Sequence, residues 1–345
     1  MHCSQLSPNV TNEIVARAMA MRAYVRPENT VIYSDLTDLM TELLTAAGKP
    51  DANLVTCGHY TPDIAVAAGR ADLTPVEILG KSPFRGDLAP VFGQLNGGFQ
   101  MVYLANPNRV TGACYSLSDI ESLARKAAAG VVIVDEYYFN YLGVSAFPLL
   151  ENHDNLVILR PLTAPPVEPG LTGGFALGGA GLIAKLRRSG VSTNALADLD
   201  PILAVDADEE EDLYRRTVQV CGEARRLTTA LRCLGVACRH TPTDFVLMQV
   251  VSPKDAGNFL AGRQVTVENL DGYLLMGKNI RYFVRSHEEN ERLVDAFREM
   301  PEHYFRPQTT DFRACSQGPS TGRGAPENHS AGGVPAPEGL ITEDS

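Results

Sequence analysis

Three side chains able to do chemistry stand beside apolar runs. Asp135 closes the run Val131-Val-Ile-Val and is followed by Glu136, Tyr137 and Tyr138. Arg109 sits in Asn106-Pro-Asn-Arg-Val-Thr-Gly112, directly after the apolar stretch 100–105. Arg281 lies near the start of Asn279-Ile-Arg-Tyr-Phe-Val. A guanidinium offers a planar fork of donors that grips a carboxylate or phosphate. An acid at the end of a buried strand either serves acid–base chemistry or caps a neighbouring turn. Two arginines, an acid and Tyr138 in one cleft would suit an amino acid or a small anionic metabolite. Other chemistries find less support. The cysteines and histidines lack metal-ligand spacing, so no metal is expected. No G-x-S-x-G elbow is present. The glycines at 173–174 and in Gly178-Gly-Ala-Gly181 match no dinucleotide fingerprint.

Positioning these groups requires an ordered scaffold, and the apolar patterning supplies one. Strands are expected at Thr30-Val-Ile-Tyr, 53–57, 75–79, 100–105, 130–135, 155–160 and 174–178. Helices are expected at 10–26, from Thr37, at 117–128 (capped by Ser116 or Ser118) and at 180–188. Apolar strands alternating with helices predict an α/β domain with a mainly parallel sheet covered on both faces. Past residue 205 the texture changes. A long helix opens on the acids of Ala207-Asp-Glu-Glu-Glu-Asp and runs to about Leu234, its acids at the favourable end. Strands at 236–240, 244–251, 264–268 and 279–284 and helices at 253–262 and 287–299 complete a smaller α+β domain. The division expected is a short helical segment 1–26, a large domain 27–204, a small domain 205–306 and a disordered tail 307–345 rich in Pro, Gly, Ser and Thr.

The chain has 345 residues, 44% hydrophobic and 21% charged, with a net charge of -11. That charge argues against non-specific nucleic-acid or anionic-membrane binding. No apolar run reaches the ~18 residues that span a bilayer. The first nine residues carry neither a basic stretch nor an apolar core of the kind a secretory signal needs. The seven cysteines form no CxxC pair. A cytoplasmic protein with reduced thiols is the expectation.

Three segments occur in a telling order: Asn106-Pro-Asn-Arg-Val-Thr-Gly112, Val131-Val-Ile-Val-Asp-Glu-Tyr-Tyr138, and Leu156-Val-Ile-Leu-Arg-Pro-Leu-Thr-Ala164 followed by Gly170-Leu-Thr-Gly-Gly-Phe-Ala. Together they resemble the fold-type-I, pyridoxal-phosphate-dependent class I/II aminotransferases of the histidinol-phosphate aminotransferase type. There the pattern runs P-N-N-P-T-G, V-D-E-A-Y, then L-R-T-x-S-K-x-x-x-L-A-G-L-R. The resemblance covers about Pro27 to Phe305. It implies a large domain with a seven-stranded sheet, a small domain, a two-fold dimer and a cofactor site. In that site Asp135 would pair with the pyridine nitrogen, making the ring an electron sink. Tyr138 would hold the phenolic oxygen, and Tyr60 or His59 would stack on the ring. Thr163 would keep a hydroxyl nearby, and Arg281 would take the substrate carboxylate.

Against this pattern several positions differ. The Schiff-base lysine is Ala164, and a methyl group forms no imine. The phosphate-binding arginine is Thr172, and the asparagine for the phenolic oxygen is Arg109. Asp35, in Asp35-Leu-Thr37, puts a carboxylate where a helix N-terminus would receive phosphate. Three prolines stiffen 164–169. Among the lysines, Lys81 in the loop Leu79-Gly-Lys-Ser-Pro is the one substitute considered. The N-terminal arm is short, through loss of the arm or a misplaced gene start. The expectation is therefore a divergent aminotransferase-like protein, unable to transaminate by the lysine route, with no cofactor or weakly bound pyridoxal phosphate. It would act as a non-catalytic or regulatory partner, as a homodimer or a heterodimer with an active relative. The alternative is an enzyme on an amino acid or anionic metabolite, cofactor-free or with pyridoxal phosphate held non-covalently.

Overall fold

The computed structural model describes residues 28–33, 35–48, 53–95, 98, 100–161, 173–188 and 207–306, with side chains from 211 onward in the last stretch. The expected helix 10–26 and tail 307–345 lie outside these residues, as do Thr163, Ala164 and Thr172. In chain order the first part runs β1 (Thr30–Tyr33), α1 (Leu36–Ala47), β2 (Leu54–Cys57), α2 (Pro62–Arg70), β3 (Pro75–Ile78), α3 (Ala89–Gln94), β4 (Met101–Ala105), α4 (Leu117–Lys126), β5 (Val131–Asp135), α5 (Phe139–Leu142), β6 (Leu156–Pro161), β7 (Gly174–Gly178) and α6 (Ala180–Arg188). The second part runs α7 (Ala207–Cys233), β8 (Ala237–His240), β9 (Phe245–Gln249), α8 (Pro253–Ala261), β10 (Glu268–Asn269), β11 (Asn279–Phe283) and α9 (His287–Glu299).

The seven strands of the first part form one sheet in the order β1-β7-β6-β5-β4-β2-β3. Neighbours from β6 through β3 are parallel, whereas β7 runs antiparallel to both β6 and β1. Strands β2, β4 and β5 are buried at every position. Continuous apolar runs of this kind belong to parallel sheets with helices on both faces. Alternate residues feed the two faces. Val55, Val102, Val132 and Ile158 face one core with Ile120 and Leu123 of α4. Leu54, Met101, Ile133 and Val157 face the other with Leu39 and Leu43 of α1, Ile64 of α2 and Ile183 of α6. Each fully buried Leu or Ile there contributes roughly 1.5–3 kcal/mol.

The helix ends follow their local sequence. Ser116 and Asp119 form a reciprocal capping box at α4, and Ser286 and Glu289 form another at α9. Each box satisfies two of the N–H groups a helix start leaves unpaired.

The second sheet is antiparallel, in the order β10-β11-β9-β8. Its core joins α7, α8 and α9 through Leu227, Val246, Leu260, Ile280, Leu293 and Phe297. The strand expected at 264–268 is reduced to Glu268–Asn269, because Gln264 turns to a φ of 60° just after α8. A further cluster, with Val110, Tyr138, Tyr141, Phe245, Leu247 and Met276, spans the two sheets. The described residues all fall within one compact unit ending at Pro307. Gly112 marks one close approach: its φ is 67°, and a Cβ there would lie 2.4 Å from the Thr241 Cβ. Only glycine takes that conformation and that space without cost.

Candidate active site

The site collects at the carboxyl ends of β2, β4 and β5, the edge of an α/β sheet where ligand crevices form. Asp135, the last residue of β5, is 2% exposed. Its Oδ2 accepts a hydrogen bond of 2.7 Å from the Tyr103 hydroxyl, and its Oδ1 accepts one of 3.0 Å from the Tyr137 N–H. Arg109 projects into the same place. Its Nη1 lies 2.9 Å from Asp63 Oδ2 and 3.5 Å from Asp135 Oδ2. Its guanidinium carbon lies 4.5 Å from the centre of the Tyr137 ring. One cation thus serves two carboxylates. Burial pushes the Asp135 pKa up, and Arg109 and the Tyr103 hydroxyl only partly oppose it. Burial also works against the Arg109 charge, but Asp135 and Asp63 outweigh it and hold the guanidinium firmly protonated.

Tyr138 and Arg281 are engaged elsewhere. The Tyr138 hydroxyl donates to Asp244 Oδ1 at 2.7 Å, reaching from the large sheet toward the small one. Burial raises Asp244 to about 6, against the Tyr138 hydrogen bond that favours its ionised form. Arg281 is buried; its Nε donates to Glu268 Oε2 at 2.8 Å and its Nη1 to the Arg109 carbonyl at 2.6 Å. Its fork is therefore shared between a carboxylate of the neighbouring strand and the backbone of the loop that carries Arg109.

Asn108 orders that loop. Its Oδ1 accepts from the Val110 and Thr111 N–H groups, and its Nδ2 donates to the His59 carbonyl at 2.7 Å. His59 follows Gly58, whose φ of 83° turns the chain out of β2. The His59 side chain is 1% exposed, with Nδ1 2.9 Å from Glu77 Oε1 on β3. Tyr60 is half-buried against the α1–α2 core. Asp35 is the N-cap of α1 and accepts from the Asp38 N–H at 3.0 Å, so its carboxylate takes the helix terminus for itself. Lys81 is exposed in the loop after β3.

Asp135 and Arg109 are thus together. Arg281 reaches the group through a backbone carbonyl, while Tyr138 faces Asp244. The sequence reading missed Asp63, Tyr103, Asp244 and Glu268. Asp63 lies in the first turn of α2, a helix the periodicity did not reveal, and Pro62 was its one signal. Tyr103 lies inside an apolar run and reads as core.

This arrangement does not fit pyridoxal phosphate. The carboxylate that would face a protonated ring nitrogen faces a guanidinium. The phenol that would hold the ring oxygen donates to Asp244, and the helix start that would face the phosphate is capped by Asp35. A pyridinium and Arg109 would compete for Asp135 as like charges in a buried place.

The family model for aminotransferase class I and II matches residues 7–297. A histidinol-phosphate aminotransferase of Caldanaerobacter subterraneus subsp. tengcongensis is 30% identical over 202 residues, covering 58% of this chain and 57% of that protein. Histidinol-phosphate aminotransferase 1 of Ralstonia nicotianae is 29% identical over 278 residues, covering 75% and 71%. The chain spans little more than half the length of the first curated relatives it matches, 57% and 54%. Among solved structures, a putative histidinol-phosphate aminotransferase from Erwinia carotovora atroseptica matches with a TM-score of 0.71 at 20% identity, over 86% of this chain and 87% of that one. The histidinol-phosphate aminotransferase of Sinorhizobium meliloti, in complex with pyridoxal-5'-phosphate, matches with a TM-score of 0.68 at 17% identity, over 84% and 82%. At these identities the solved structures speak to the fold. No helix among the described residues is long and apolar enough to cross a membrane.

Proposed function

Because the chain belongs to the aminotransferase class I and II family, we propose that it is a divergent member that does not transaminate through a lysine-bound pyridoxal phosphate. The observation that carries this reading is the contact of Arg109 with Asp135, 3.5 Å apart, at the carboxylate the family pattern reserves for the ring nitrogen. The sequence supports it: Ala164 stands where the L-R-T-x-S-K pattern has lysine, and Thr172 where it has arginine. Pyridoxal phosphate, when bound, supplies an electron sink for carbanion chemistry. Its covalent anchor would be missing here. Two lost charge-assisted bonds at about 1.5–3 kcal/mol each weaken binding by roughly two to four decades more.

A titration of the purified protein with pyridoxal phosphate tests the reading. The expected result is no aldimine band and no borohydride-trappable adduct. A trapped adduct on any lysine, Lys81 included, would overturn it. Saturable binding with a free-aldehyde spectrum would keep the loss of the lysine route but refute the competition by Arg109. Two uses remain for such a chain. One is a non-catalytic partner, as a homodimer or beside an active relative, which light scattering with and without that relative would reveal. The other is a cofactor-free site for a small ligand, favoured by His59 Nε2, which is buried with no hydrogen-bond partner among the described residues.

A further inference from the structure

A second ionic feature lies on the small sheet. We propose that the hollow between β8 and the loop carrying Phe84 is a binding site for a small organic oxyanion, a carboxylate or phosphate monoester gripped by Arg239 and Arg232. Its wall includes neither Asp135, Arg109 nor Asp63, so it stands apart from the proposed function above.

Three observations carry it. The first is the cavity itself. It measures about 210 Å³, and its wall includes the apolar Phe84, Val236 and Leu247 together with Arg232, Arg239 and Gln249. No acidic residue lines it. Register explains the gathering. Arg239 pairs with Leu247 and Ala237 with Gln249, so these residues share one face of the sheet, opposite to the core residues Val246 and Met248. The volume lies below the ~300–1,000 Å³ of drug-sized sites, which suits a small ligand.

The second is the state of the two arginines. The Arg239 guanidinium carbon lies 4.5 Å from the centre of the Phe84 ring, and among the described residues none of its N–H donors has an acceptor. The stack fixes the plane of the fork and leaves its edge open. Arg232 Nε and Nη2 donate to the Cys238 carbonyl at 3.2 and 3.0 Å, and Nη1 has no partner among the described residues. Arg281 makes the contrast. It lies across Leu247 from Arg239 on the same face, and Glu268 neutralises it. Arg232 and Arg239 lack such a partner among the described residues, although the chain has 41 acids against 30 Lys and Arg. Both are exposed, so a ligand enters without rearrangement of the sheet.

The third is the field. His240 follows Arg239 on β8, and its Nε2 is buried without a hydrogen-bond partner among the described residues. Burial and the charges of Arg225 and Arg232 hold its pKa down, and no acid offsets them. The edge of the small sheet is thus a patch of uncompensated positive charge on an acidic molecule. Such a patch draws an oxyanion and holds it by charge-assisted bonds, while Phe84 and Leu247 take its apolar part.

Benzoate and phenyl phosphate are the probes, and benzylamine is the cation control. Each is titrated by calorimetry into the full-length protein at low salt, and the arginine Nε–H signals are followed by NMR. At least one probe should bind saturably and shift the Arg239 signal, and the tighter of the two identifies the head group. Benzylamine should do neither. Arg239→Gln and Arg232→Gln should each weaken binding by about tenfold or more. Arg216→Gln removes an equal charge about 24 Å away along α7, at 1.5 Å per residue, and should change binding by about twofold at most. Thermal transitions check that each variant folds, and if one does not, the Arg239 signal of the wild-type protein decides. No saturable binding of either probe, binding that leaves the Arg239 signal in place, or benzylamine binding of equal strength would overturn the inference. Equal losses in Arg216→Gln and Arg239→Gln would also overturn it, since they would reveal only a general attraction to a cationic surface.

Discussion

Replacing Arg109 by methionine removes the cation between two carboxylates while keeping the length of the side chain. Asp135 is 2% exposed and cannot turn to solvent. Breaking a buried pair by removing one partner costs about 3–5 kcal/mol. Here the Tyr103 hydroxyl and the Tyr137 N–H remain on Asp135, and Asp63 is 25% exposed, so about 2–3 kcal/mol is expected near neutral pH. The loss should depend on pH, and its sign follows from the direction of the shift. Burial already raises Asp135 in the folded state, with Arg109 pulling it down. A carboxyl with a raised folded pKa binds its proton more tightly when folded. Stability therefore falls as pH rises from the unfolded value to the folded one, then levels off. Without Arg109 the folded pKa climbs further, because the charge that opposed the effect of burial is gone. The gap between wild type and Arg109→Met should thus be smallest in acid, where Asp135 is protonated in both proteins, and widen as pH rises through its titration. Urea unfolding followed by circular dichroism at several pH values measures it. A gap that is constant across that range, or below ~0.5 kcal/mol throughout, would refute the reasoning.

Other perturbations should be as specific. Glu136, 1% exposed, pairs with Arg160 at 2.6 Å and also accepts from the Ser145 hydroxyl and the Ala146 N–H, so Glu136→Gln should cost about 3 kcal/mol in denaturant unfolding. A cost below ~1 kcal/mol would show the pair to be dispensable. Asp244 is raised from 3.8 to about 6, which removes up to about 3 kcal/mol of stability as pH climbs through that window. Asp244→Asn should flatten that part of the stability profile, and an unchanged slope would assign the titration elsewhere. Ala164→Lys alone should give no trappable aldimine, because Arg109 still holds Asp135, whereas Ala164→Lys with Arg109→Asn should give one. An aldimine in the single variant would show that Arg109 yields to the cofactor.

The scaffold was largely readable because its strands are long apolar runs and its helices carry strong caps. Met101–Ala105 and Val131–Asp135 needed no tertiary knowledge, nor did the Ser286 start of α9. Helix α2 escaped because Pro-Asp-Ile-Ala-Val-Ala-Ala-Gly-Arg buries a small alanine face with little polar contrast. The strand expected at 264–268 failed because its hydrophobic residues, Val265 and Val267, pack toward α8 rather than pairing along an edge. Site positions such as Asp135 and Arg109 were visible as departures from or matches to a motif. Their partners were not, since Asp63 and Tyr103 meet them, and Asp244 meets Tyr138, only through the crossing order of the sheet. Types can be read along a chain, but pairings between residues as distant as 46 or 106 positions depend on topology.

The loop 106–112 has a consequence for how the molecule breathes. Asn108 fastens it to His59, Arg281 fastens its backbone to the second sheet, and Gly112 lies against Thr241. A segment moored on three sides cannot fray by itself, since releasing it means parting the sheets. The Val110 and Thr111 amides, both bonded to Asn108 Oδ1, should therefore exchange with deuterium only through large-scale opening, at rates close to those of β4 and β5. The segment around Tyr273, whose Leu274 and Leu275 are 61% and 62% exposed, should exchange far sooner, so two stretches that flank the same sheets would open on different timescales.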